Sequence, residues 1–144
     1  MRTLILCAAL ATFAQGANPA GTWTATFKGQ TFVRLELRGE SPQLAGTFRI
    51  SNIEFDKEGR PRPTSPLPEK ASPLSGVAQR DSTVTFSWKN GNDTDHFELR
   101  LLADGRAELR LLMTEEMRKE LAAQGVPAAG PIVLTRQSRL PEER

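Results

Sequence analysis

From Gly21 onward the side chains alternate between apolar and polar with a period of two, as in a strand that buries one face and wets the other. Trp23, Ala25 and Phe27 alternate with Thr22, Thr24 and Thr26. Beyond Gly29, the residues Val33, Leu35 and Leu37 alternate with Arg34, Glu36 and Arg38, and beyond a turn at 39–42 the apolar row resumes with Leu44, Gly46, Phe48 and Ile50. Alternation is weak over 74–79 and firm again for Val84, Phe86 and Trp88 against Thr83, Thr85 and Ser87. Two further rows follow, Asp95, Phe97, Leu99 and Leu101, then Ala107, Leu109, Leu111 and Met113. Asn90-Gly91 and Asp104-Gly105 stand between these rows, and residues that tolerate positive φ at such points predict hairpins. The last three rows thus read as a meander.

Two stretches break the rhythm. Residues 56–73 carry prolines at 61, 63, 66, 68 and 73, and proline removes ladder donors, so a loop is expected there rather than a central strand. A loop of that length reads first as a solvated excursion without a role, and alternatively as a lid or a docking segment in extended proline-rich form. Over 114–124 the period lengthens: Thr114 can cap, Glu115 and Glu116 suit the positive end of a helix dipole, Met117 and Leu121 recur four residues apart, and Gly125 with Pro127 ends the run. A last strand is expected over 132–136. The predicted fold is all-β, an antiparallel up-and-down barrel of about eight strands with one short helix before the last strand, because closure is the cleanest way to remove exposed sheet edges.

The first seventeen residues form a separate unit. Arg2 gives a positive start, 3–14 is almost unbroken apolar, and Gln15-Gly16-Ala17 offers small residues for cleavage, the makings of a secretory signal peptide. The run falls short of the roughly 20 residues that cross a bilayer as a helix. The expectation is a leader at 1–17 and a single domain at 18–140, exported to the periplasm or the extracellular medium and peripheral to or free of the membrane. Cys7 is the only cysteine and leaves with the leader, so apolar burial rather than disulfides must hold the domain. As a lipid-attachment site it is poorly placed, since Leu6 precedes it and no apolar run comes before it.

Charge removes one class of partner. The chain has 19 basic and 17 acidic residues, interleaved throughout, and a phosphate backbone would call for a clustered basic field, so nucleic acid is not an expected partner. Catalytic and metal chemistry find little support either. His96 is the only histidine, a poor basis for zinc, and its place on the polar face of a strand suits solvation or cross-strand pairing; the alternatives are pH sensing or a general base, which would need a serine or water partner in space. Asn90, Asn92, Asp93 and Asp95 bring four oxygen-bearing side chains together, yet turn chemistry explains them and the calcium-loop spacing is not met. Glu36, Glu54, Glu98 and Glu108 fall on outward positions beside arginines, as expected for surface ion pairs and not for a converging acid pair. Neither an enzyme nor a bound cofactor is expected.

Gly21-Thr22-Trp23 opening the first strand, Gln30-Thr31-Phe32-Val33, Leu44-Ala45-Gly46-Thr47-Phe48, the run from Val84 to Asn90 and the late Leu111-Leu112-Met113-Thr114 occur in an order that resembles the calycin superfamily, above all its avidin and streptavidin branch, with lipocalins as the broader likeness. The resemblance spans most of the domain and implies a small secreted barrel. It does not extend to biotin. Ala25 stands where the family has an asparagine, Phe48 where it has a tyrosine and Ile50 where it has a serine, while the second wall tryptophan near 109–111 and the aspartate near 131–132 are missing. Gln30 could replace one serine, and Trp88 keeps one apolar wall. Each unpartnered polar group on a buried ligand costs about 1–3 kcal/mol, so tight biotin binding is not expected.

A barrel of about eight strands is just wide enough either to be filled by its own side chains or to hold one small guest. With the inward set apolar, the first expectation is a non-enzymatic barrel binding a small apolar ligand, lined by Phe48, Phe86, Trp88 and Phe97, while Trp23 plugs the closed end. The alternative is a cell-envelope interaction module with a packed interior that docks a protein through the proline-rich loop or an outer strand face. A void of roughly 300 Å³ or more, the lower end for small-molecule pockets, would separate the two.

Overall fold

The computed structural model describes residues 18–127 and 129–137. Eleven strands form: β1 (Gly21–Phe27), β2 (Gln30–Arg38), β3 (Ala45–Ile50), β4 (Ile53–Phe55), β5 (Pro61–Pro63), β6 (Ser72–Pro73), β7 (Ser75–Arg80), β8 (Thr83–Asn90), β9 (Asp93–Leu101), β10 (Arg106–Leu112) and β11 (Ile132–Arg136). One helix, α1 (Glu115–Ala123), lies between β10 and β11. Nine strands make one antiparallel sheet in the order β6-β3-β2-β1-β11-β10-β9-β8-β7, and β4 and β5 pair by themselves. The two edge strands, β6 and β7, are separated in the chain only by Leu74, whose N–H donates to the Gly46 carbonyl of β3 at 3.0 Å. One continuous extended segment therefore pairs first with β3 and then with β8, and the sheet curls into a nearly closed barrel.

The interior follows from the alternation. Trp23, Val33, Leu35, Phe48, Val84, Leu99, Leu109 and Leu134 are each at most 1% exposed, with Phe86 and Phe97 close behind. Phe32 breaks the rule, because it is buried beside Val33. The register explains it: Ala25 faces Val33 and Thr26 faces Thr31, so Phe32 is the extra residue of a β-bulge, which turns a second consecutive side chain inward. Its carbonyl accepts from the Ser51 N–H at 3.0 Å. Gly46 marks another tight place, where a Cβ would lie 2.1 Å from the Glu36 carbonyl oxygen, so no larger residue fits without moving β2.

Turn chemistry sets the ends. Asp104 and Gly105 both take positive φ, as their types allow. At the β8–β9 turn only Gly91 does so; Asn90 stays in β8 and pairs with Asp93, leaving Gly91 and Asn92 as the two connecting residues. The proline-rich stretch also holds more strand than its composition predicts. Pro61 and Pro63 pair with Phe55 and Ile53 in a hairpin outside the barrel sheet, an edge position where a missing N–H costs nothing. Residues 1–17, and with them the expected leader and Cys7, lie outside the described residues, as do residues 138–144.

Candidate functional site at the mouth of the barrel

The two ends of the barrel are built differently. At the base, Trp23 fills the interior; its Nε1 donates to the Pro19 carbonyl at 2.9 Å and the Arg136 guanidinium lies 4.5 Å above its ring. The Gln137 N–H donates to the Thr22 carbonyl at 2.8 Å, tying the end of β11 over the start of β1. This agrees with the plug role expected for Trp23. The opposite end, where β3, β8 and β10 finish, carries the two long connections. One is the β4–β5 hairpin with its return to β6, and the other is α1 with the segment that leads into β11.

The four residues expected to line a ligand cavity come together in space. Phe48 meets Phe86, Trp88 and Phe97 edge-on at centroid distances of 5.5, 5.2 and 5.2 Å, and Phe86 stacks on Phe97 at 5.4 Å. Such contacts add about 0.5–1.5 kcal/mol each beyond burial. They fill the middle of the barrel with protein. The hollow lies above them: a cavity of about 350 Å³ bounded by Trp88, Phe97, Leu109 and Ile132 below and by Ile50, Ile53 and Phe55 at the side, with Asn52, Asn90 and Asp95 among its polar lining. Trp88 and Phe97 face this space, whereas Phe48 and Phe86 do not line it and belong to the packed interior. Trp88 is half-buried, and its Nε1 has no hydrogen-bond partner among the described residues, so packing alone holds the indole.

The hairpin that roofs this cavity is tied at both ends. Asp56 Oδ1 accepts from the Glu58 and Arg60 backbone N–H groups at 2.9 Å each, and Oδ2 accepts from Arg60 Nε at 3.0 Å. The Arg60 backbone N–H above all, with its guanidinium, keeps the Asp56 carboxyl below its ordinary pKa. At the tip, the Gly130 N–H donates to the Gly59 carbonyl at 3.1 Å, and a Cβ on Gly130 would fall 2.3 Å from that oxygen. Glycine is therefore required at 130 for the hairpin to reach the segment before β11. At its base, the Thr64 N–H donates to the Asn52 carbonyl at 2.7 Å and Arg49 Nη1 to the Pro68 carbonyl at 3.2 Å. Sequence patterning missed Ile53, Phe55 and Gly130 as site residues. The period-two signal of a three-residue strand is too short to register, though Ile53 and Phe55 flanking Glu54 carry it.

The outer wall holds the polar chemistry. His96 Nδ1 lies 2.8 Å from Ser87 Oγ across the β8–β9 ladder, an exposed pair that the structure joins to no third group among the described residues. Glu108 takes Arg100 at 2.9 Å and Arg110 at 3.5 Å, and Arg34 pairs with Glu36 at 2.9 Å. The Arg100 guanidinium, more than Arg110, holds the Glu108 carboxyl below its usual range. No group of three or more His, Cys, Asp or Glu side chains converges among the described residues, and of the four oxygen-bearing turn residues Asn90 and Asp95 line the cavity while Asn92 and Asp93 do not.

In comparisons with known proteins, no family model, no curated protein and no solved structure matches this chain. None of them supports an assignment to the calycin superfamily; what the structure shows is a nearly closed antiparallel barrel.

Proposed function

We propose that this protein is a non-enzymatic, exported β-barrel that binds a small apolar ligand at its mouth, between the aromatic floor of Trp88 and Phe97 and the roof supplied by Phe55. The supporting observation is the cavity of about 350 Å³, which exceeds the roughly 300 Å³ at which small-molecule pockets begin. Its lining fits an apolar guest, since Leu109, Ile132, Ile50 and Ile53 offer no charge, and Asn52, Asn90 and Asp95 are grouped at the rim, where they can orient a polar end. Trp88 is the natural reporter because it is half-buried with an unpartnered N–H, while Trp23 is sealed at the base. Titrating the folded protein with a panel of alkyl and aromatic compounds should shift tryptophan emission, and Trp88→Phe should abolish the shift. Silence from every compound in folded protein would overturn the reading in favour of an envelope interaction module with a packed barrel, docking through its proline-rich hairpin. Export is tested separately: protein recovered from outside the cytoplasm should begin just after Ala17.

A further inference from the structure

A second hollow, of about 530 Å³, lies on the far side of Phe55 between α1 and the end of β10. It shares Phe55, Leu111, Ala129 and Gly130 with the mouth cavity, so the two hollows adjoin. Leu112, Leu121 and Val126 contribute apolar wall, and Leu112 and Val126 remain 44% and 43% exposed. No residue of α1 is fully buried, and only Leu121 is half-buried. A helix that leaves its apolar positions wet beside other wet apolar side chains is poorly explained by folding alone. The charges in this hollow are unequal. Arg110 and Arg118 line it against a single carboxylate, Glu98. Arg110 is engaged with Glu108 at 3.5 Å, whereas Arg118 makes no ion pair among the described residues.

We propose that the ligand is an amphiphilic anion, a single hydrocarbon chain that lies from the mouth cavity past Phe55 into the outer hollow and sets its negative head group on Arg118. This rests on the mouth-cavity reading and adds to it the chemistry of the head and the direction of the chain. A hydrocarbon chain covers Leu112 and Val126, which water otherwise meets. The guanidinium of Arg118 presents paired N–H donors that match a carboxylate or a sulfate. A cationic head would face two guanidinium groups, and a neutral head would leave Arg118 as it is.

Dodecanoate, dodecyl sulfate, dodecanol and dodecyltrimethylammonium, each kept below its micelle concentration, differ in the head and share the chain. Binding to the whole protein and to Arg118→Gln, read by Trp88 emission, tests the assignment; position 118 is exposed on the helix, so the variant keeps its fold. The two anions should bind about three- to tenfold tighter than dodecanol, as for a partly screened charge-assisted contact, with the cation weakest. Arg118→Gln should erase that advantage and leave dodecanol unchanged, and added salt should narrow it. Equal affinity for all heads, or loss of dodecanol binding in Arg118→Gln, would overturn the proposal and leave the apolar mouth site standing. No response to any of the four would overturn both. Sedimentation with phosphatidylglycerol vesicles without any response to monomeric anions would overturn it in favour of a membrane surface.

Discussion

The base of the barrel and its mouth use the same strands to opposite ends. At the base, Trp23 is 1% exposed, its N–H is satisfied by Pro19 and its ring is covered by Arg136. At the mouth, Trp88 is half-buried, its N–H is unsatisfied and it shares its cavity with the β4–β5 hairpin and the segment before β11. The difference comes from two long connections that only the mouth carries, beside its own tight turns at 28–29 and 91–92. Turns of a few residues close the base and pull the strand ends together, whereas the mouth joins its strands through the β4–β5 excursion and through α1, which cannot pack as densely as a wall. Stability is concentrated below the aromatic layer, and adaptable surface above it.

Truncation at the two tryptophans is the strongest way to break this contrast. Trp23→Ala should lower unfolding free energy by about 3–5 kcal/mol, as for large core aromatics, and Trp88→Ala by less than half of that, measured by denaturant unfolding. Equal losses would show that the mouth is as tightly integrated as the base. Gly130→Ala comes next: the added Cβ forces Gly59 away, removing one backbone hydrogen bond worth about 0.5–1.5 kcal/mol. Its larger consequence should be at the mouth, where amide exchange in β4 and β5 should quicken and ligand affinity fall while the barrel strands stay protected. Thr114→Ala sharpens the point further. Thr114 Oγ1 accepts from the Met117 N–H at 3.1 Å, and loss of such a cap costs a helix about 1 kcal/mol. Because no residue of α1 is fully buried, global stability should change by less than about 0.5 kcal/mol while exchange within α1 accelerates.

The smallest effect expected is that of acid. The carboxyl groups of Asp56 and Glu108 are both held below their ordinary pKa in the folded protein, so each contributes stability that is present above the ordinary carboxylate range and is lost as pH falls through the lowered value. Both are on wet surfaces, and global stability should barely respond. Asp56 organises the hairpin tip, however, so exchange of the 53–63 amides should rise as pH falls below the ordinary carboxylate range, towards the lowered value of Asp56, before the barrel strands respond. Simultaneous loosening of hairpin and barrel would mean that mouth and base open as one unit.

The wall of the barrel was legible because each of its strands carries a long enough run of alternation to reveal which face is buried: Val33, Leu35 and Leu37 on β2, Phe86 and Trp88 on β8, Phe97 and Leu99 on β9. Thr114, the two glutamates after it and Gly125 likewise announced α1 at its observed place. Phe32 was not legible, since a bulge cancels the alternation at the position where it adds a residue. The division of the four expected lining residues was hidden as well. Phe48, Phe86, Trp88 and Phe97 read alike as inward aromatics, and only the ring-on-ring distances reveal that they fill the centre and leave the hollow above them.

Taken alone, the order of residues determined the all-β antiparallel fold, the face that each long strand buries, the tryptophan that closes the base and the place of the helix, because these depend on periodicity and on turn residues that act over a few neighbours; the ninth strand of the sheet and the β4–β5 pair came only with the structure. The position of the cavity, the roof over it and the second hollow beside Arg118 were decided only in three dimensions. They depend on how far two long connections reach and on the meeting of Gly59 with Gly130 across the mouth, a contact between residues far apart in the chain that no local pattern encodes.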